Sequence, residues 1–135
     1  MANTRESPAG TVTVLTVDDQ AVFRRAVGDL IAATPGFEEL GQAASGAEAL
    51  ELAVALQPDL VLLDVRMDGM DGLETARRLL ASGCGAVVVL ISLNDVPEVA
   101  SAIAGGVATH VRKQDLSTRT LRKLWTTHGR LRARG

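Results

Sequence analysis

Tyrosine is absent from the 135 residues, and Phe23, Phe37 and Trp125 are the only aromatics. Stacking platforms for single-stranded nucleic acid need aromatic faces, so the composition argues against that class. Cysteine is limited to Cys84. One thiol can neither close an internal disulfide nor build a cysteine-based zinc cage, which excludes a disulfide-stapled secreted domain. The longest purely apolar run, Ala86 to Ile91, is six residues and too short to cross a bilayer. The opening decapeptide, MANTRESPAG, holds no apolar stretch, so no secretory leader is expected.

What remains is the make-up of a folded domain: 47% hydrophobic and 22% charged residues over a length that suits one core rather than two. A single-domain cytoplasmic protein is expected. The net charge of −2 hides an asymmetry. Residues 112–135 carry 8 basic and 1 acidic side chains, whereas residues 1–111 carry 6 and 15.

Apolar patterning alternates between two periods. Thr11 to Val17 is a β-branched run ended by Asp18-Asp19, and helical spacing follows from Val22 to Ile31 up to Pro35-Gly36. Phe37 to Ala43 is a weaker strand, and Ser45-Gly-Ala-Glu48 is a capping-box pattern for a helix running to Pro58. Leu60 to Leu63 is a buried-type strand meeting Asp64, followed by loop chemistry through Gly72 and a helix over 73–81. Ala86 to Ile91 arrives at Ser92. Asp95-Val-Pro-Glu98 reads as the N-cap of a helix over 96–104, Val107 to Val111 leads to Lys113, and Ser117 opens a last helix to about His128. Five strand–helix alternations with short connections predict an α/β fold, a parallel sheet with helices on both faces.

In an open parallel sheet, ligands bind beyond the carboxyl ends of the strands. Asp18-Asp19, Asp64, Ser92 and Lys113 each follow a predicted strand, so all project from one sheet edge although they are far apart in sequence. Singly, each has a plain explanation: an Asp there often caps the next helix, and Asp19 is a candidate for that, while a lone Ser or Lys is usually solvated. Together they describe a site. Unit charges of like sign about 4 Å apart repel by about 4 kcal/mol at an effective dielectric near 20, so three carboxylates call for a cation. All-oxygen ligands suit Mg²⁺. A carboxylate beside it can attack phosphorus, while a Lys and a hydroxyl serve the phosphoryl oxygens.

These residues, Val17-Asp-Asp-Gln20, Leu62-Leu-Asp-Val-Arg-Met67, Gly69-Met-Asp-Gly-Leu73, Ser92 and Lys113, resemble the receiver domain of two-component response regulators, the CheY-like family. The likeness runs from about Thr11 to His128, and DDQAVFRR with DVRM is most similar to receivers attached to helix-turn-helix (LuxR-type) outputs. It implies a doubly wound, flavodoxin-like sheet of five parallel strands in the order 2-1-3-4-5. The chain then divides into a flexible segment (1–10), a receiver (11–128) and a basic tail (129–135). It further implies that Asp64 is the phosphoacceptor, that Asp18, Asp19, Asp64 and the backbone carbonyl of Arg66 hold Mg²⁺, and that Lys113 and Ser92 engage the phosphoryl group. The implied partners are a sensor histidine kinase or histidine phosphotransfer protein, a downstream protein target, and a second copy of the chain as a homodimer.

Three positions depart from the family pattern. Asp68 stands where proline is usual, Leu93 where a small residue is usual, and His110 where an aromatic turns inward on switching. For His110 the preferred reading is a partly exposed strand-end residue with no titration role; the alternative is an inward imidazole that charges at about pH 6–7. Trp125, spaced with Leu121 and Leu124, packs the last helix on the sheet or on a partner; Cys84 reads as a small loop residue. A Mg²⁺-dependent aspartate phosphohydrolase is the competing enzyme reading. It suffers from Arg66, which stands where a second carboxylate would act as general acid and cannot release a proton at neutral pH. A receiver fragment of a DNA-binding regulator is the third. Direct nucleic-acid binding by this chain is not expected, because the three arginines of its tail give little affinity at physiological salt.

Overall fold

The structure is a computed structural model that describes residues 10–67 and 69–129. Five strands, β1 (Val12–Val17), β2 (Phe37–Ala43), β3 (Leu60–Asp64), β4 (Val87–Ser92) and β5 (Thr109–Arg112), alternate with five helices. These are α1 (Ala21–Ala32), α2 (Gly46–Leu56), α3 (Gly72–Ala81), α4 (Val99–Ala104) and α5 (Thr118–His128). The sheet is wholly parallel, as the patterning predicts, and its strand order β2-β1-β3-β4-β5 is the one the family resemblance implies. Asp68 and the six residues after Gly129 lie outside the described residues, as do the first nine.

Every residue of β1, β3 and β4 is buried, because helices cover both faces of a parallel sheet. Alternate side chains feed two cores. Leu15, Val61, Leu63, Val88 and Leu90 pack on one face with Ala49, Ala53, Ala76 and Leu79. Val14, Leu60, Leu62, Val89 and Ile91 pack on the other with Val27, Ile31, Leu121 and Leu124, and Trp125 closes its margin. Edge strand β2 is mostly half-exposed, which explains its weak apolar signal.

Helix starts follow local hydrogen bonding. Ser45 caps α2 by accepting from the Glu48 N–H, but Glu48 Oε1 reaches back to the Ala44 N–H rather than to Ser45. Asp71 caps α3 through the Glu74 N–H, and Ser117 caps α5 through the Thr120 N–H. The expectation for α4 is corrected. It begins at Val99, three residues later than the sequence suggests, and its N-cap Glu98 makes no side-chain cap bond. The Asp95 carboxylate instead pairs with Arg112 Nη2 of β5 at 2.8 Å. Asp19 is likewise no cap, since the N-cap residue of α1 is Gln20.

Candidate functional site

The strand ends converge as the sequence predicts. Asp18 follows β1, Asp64 ends β3, Ser92 ends β4, and Lys113 opens a 3-10 turn directly after β5. Carboxylate oxygens of Asp18, Asp19 and Asp64 lie within 4.8 Å of one another. Asp18 and Asp64 are buried at 1% and 5% exposure, while Asp19 faces solvent.

Asp18 is held on three sides. Its Oδ1 accepts from the Gln20 N–H at 2.8 Å, turning the chain into α1, and its backbone carbonyl accepts from Arg24 Nη1 at 2.6 Å. Its Oδ2 lies 2.8 Å from Lys113 Nζ. That oxygen nevertheless has no aligned hydrogen bond among the described residues, so the ammonium holds it by charge alone. The same ammonium is 3.8 Å from Asp64 Oδ2 and 4.2 Å from the centroid of the Phe23 ring.

Asp64 is poorly satisfied. Among the described residues its Oδ1 accepts one bond, a long one of 3.3 Å from the Arg66 N–H. Burial first, and then the neighbouring Asp18 carboxylate, push its carboxyl up to about 6, against the opposing pull of Lys113 and that N–H. Backbone packing fixes it from below: a Cβ at Gly72 would sit 2.1 Å from the Asp64 carbonyl oxygen, so α3 can approach this closely only with glycine there. The donor set is all oxygen. It includes a buried carboxylate oxygen without a hydrogen-bond partner and a third carboxylate open to water, and it could hold a hard divalent cation.

Ser92 and His110 meet, a contact that sequence reasoning missed. The Ser92 hydroxyl donates to the Asn94 carbonyl, which leaves no proton for the imidazole, so the His110 Nε2–H donates to Ser92 Oγ at 2.6 Å. The parallel register of β4 and β5 creates this proximity, pairing Leu90 with His110 and Ser92 with Arg112. Burial is the main influence holding the His110 pKa below 6.5, opposed by Asp95 and assisted by Arg112. His110 is half-buried, while Leu93 is exposed at the rim of the site. Arg66 points its side chain into solvent. Phe23 and Arg24 were also missed as site neighbours, since helical apolar spacing and an exposed-type arginine carry no signal of what lies across the sheet edge.

Comparison with known proteins agrees with this geometry. The response regulator receiver domain family matches residues 14–124. The nitrate/nitrite response regulator NarL of Escherichia coli is 36% identical over 102 residues, covering 75% of this chain and 47% of its own. A protein-glutamate methylesterase/protein-glutamine glutaminase of Nocardioides sp. is 38% identical over 76% of this chain but only 29% of its own length. The chain thus spans less than half of these curated relatives. Among solved structures, the signal receiver domain of NarL from Mycobacterium tuberculosis aligns with a TM-score of 0.78 at 35% identity, over 87% of this chain and 94% of that one. The receiver of Thermotoga maritima CheB gives a TM-score of 0.74 at 26% identity, over 86% and 95%. With its family match over most of the chain, its strand order and its acidic strand ends all in agreement, this protein belongs to the response regulator receiver domains of two-component signalling.

Proposed function

We propose that the chain is a phosphoacceptor switch in which Asp64 takes a phosphoryl group from a phosphohistidine on a sensor histidine kinase or a histidine phosphotransfer protein. The observation that carries this reading is the convergence of three carboxylates within 4.8 Å on the Lys113 ammonium. Asp18, Asp19 and Asp64, with the backbone carbonyl of Arg66, would hold Mg²⁺, which supplies charge neutralisation for the phosphoryl oxygens. An Asp64 carboxyl titrating near 6 is ionised at neutral pH and available as nucleophile. One of its oxygens bonds to phosphorus as the P–N bond breaks, and the imidazole leaves with the electron pair and takes a proton from solvent. Lys113, already 3.8 Å from Asp64 Oδ2, pairs with a phosphoryl oxygen.

The new group adds about −1.5 to −2 charges and three acceptor oxygens. Those oxygens favour a conformer in which Ser92 leaves the Asn94 carbonyl and donates to the phosphoryl group, with His110 following because it is bonded to the same hydroxyl. The loop and α4 move with Ser92. The output is a changed contact with a downstream protein, or with a second copy of the chain, on the face made by α4, β5 and α5. A second reading draws on the relatives: NarL and the transcriptional regulatory protein LiaR of Bacillus subtilis match over 47% and 49% of their lengths, so this chain could serve as the receiver of such a regulator.

With Mg²⁺ and acetyl phosphate, intact mass should show one added phosphoryl that is absent in Asp64→Asn. Turnover of many equivalents of a phosphate ester would instead favour a hydrolase. DNA retention measured against salt, with and without residues 129–135, tests whether this chain touches nucleic acid itself.

A further inference from the structure

Lys113 is nearly enclosed, its side chain 8% exposed, and its ammonium meets two carboxylates and an aromatic ring. Asp18 Oδ2 lies at 2.8 Å, Asp64 Oδ2 at 3.8 Å, and the face of the Phe23 ring has its centroid at 4.2 Å. Two of those walls are carboxylates that the proposed chemistry itself perturbs. A cation brought between Asp18 and Asp64 competes for the oxygens that hold the ammonium, and phosphoryl transfer consumes the Asp64 charge. Of these three contacts, the ring is the one that neither event changes. A lysine stem has several rotatable bonds and gains nothing from being fixed unless a partner rewards one geometry. An aromatic face does so for an ammonium, most strongly where water is kept out.

We infer that Phe23 is a positioning residue for the phosphoryl-transfer site, an aromatic seat that keeps the Lys113 ammonium over the Asp18–Asp64 pair as charges around it change. The inference rests on the phosphoacceptor reading of Asp64. Phe23 also packs against the core cluster on the α1–α5 face, so a change there alters packing as well as the seat. The two contributions separate by side-chain choice. Leucine keeps an apolar filler but has no ring face; tyrosine keeps both.

The test measures the initial rate of Asp64 phosphorylation by acetyl phosphate at saturating Mg²⁺ in the parent, Phe23→Leu, Phe23→Tyr, Lys113→Ala and Phe23→Leu/Lys113→Ala proteins. A seat lost with the ring lowers the rate about three- to tenfold in Phe23→Leu, and tyrosine restores it. In the Lys113→Ala background, Phe23→Leu adds no further loss, because Phe23 acts through Lys113. A parent-like rate in Phe23→Leu, failure of tyrosine to rescue, or an equal loss in the Lys113→Ala background overturns the inference.

A second readout is independent of phosphorylation: the ring current of Phe23 shields the ε-methylene protons of Lys113, an upfield shift lost in Phe23→Leu and kept in Phe23→Tyr. Absence of that shift in the parent overturns the inference directly. If the parent accepts no phosphoryl group while the shift is present, the phosphoacceptor reading of Asp64 fails and the contact itself stands.

Discussion

Strand β3 has a buried carboxylate at each end, and the two are treated in opposite ways. Asp59, immediately before the strand, is wholly buried. Its Oδ2 accepts from the Thr13 N–H and from the Thr13 hydroxyl, both at 3.0 Å, and its own N–H donates to the Thr13 carbonyl at 2.9 Å. Asp64, at the other end, has among the described residues one long N–H bond, two carboxylate neighbours and the Lys113 ammonium at 3.8 Å. A buried carboxylate bonded to the N–H and hydroxyl of the neighbouring strand ties β1 to β3; one set beside two other carboxylates is the proposed site for a cation and a phosphoryl group. The same residue type, at the two ends of one strand, is a staple in one place and, in the proposed function, a reagent in the other.

The sharpest way to break the contrast is to remove each carboxylate in turn. Asp59→Ala leaves the Thr13 N–H and hydroxyl buried without their acceptor and should cost about 2–4 kcal/mol, read as a lower urea midpoint at unchanged m-value. Next in size is Gly72→Ala. Its methyl would meet the backbone beneath Asp64, so a loss of about 1–3 kcal/mol together with slowed phosphorylation is expected.

Asp64→Asn has the opposite sign to Asp59→Ala. The folded protein binds the Asp64 proton more tightly than the unfolded chain does, with a pKa of about 6 against 3.8. The site is therefore unpenalised below the lower value, and stability falls as pH rises through the upper one. In chelator at neutral pH, Asp64→Asn should gain up to about 2 kcal/mol, and the gain should vanish in melts at about pH 3.5. A neutral effect across that window would remove the contrast between the two ends of β3.

The smallest effect concerns His110. Its pKa is lowered, mainly by burial, so the unfolded chain binds that proton more readily and this stabilising contribution is lost as pH falls below 6.5. Comparing His110→Phe with the parent over about pH 5–8 isolates it: the parent should show the steeper decline on the acid side.

The fold and the centre of the site were legible because both rest on strands. Asp18, Asp64, Ser92 and Lys113 announce themselves by ending apolar runs, and a parallel sheet brings such ends together whatever their separation in sequence. What was not legible depends on partners across the sheet. Asp95 has the residue type and spacing of a cap, yet Arg112 takes it. Phe23 has the spacing of a core residue, and only its contact with Lys113, on the far side of the sheet in sequence terms, reveals a second role. The Ser92–His110 bond needs the β4–β5 register, which no local pattern encodes.

Helix α4 buries none of its six residues fully, whereas α3 beside it buries Gly72, Thr75, Ala76 and Leu79. Between them runs a groove of about 520 Å³ lined by Leu73, Leu80, Ala102 and Val107. So thinly anchored a segment opens at little free-energy cost, and its amides should exchange with deuterium well before those of α3. If Asp64 is phosphorylated as proposed, the signal would thus reach a helix that the fold anchors less firmly than its neighbour α3.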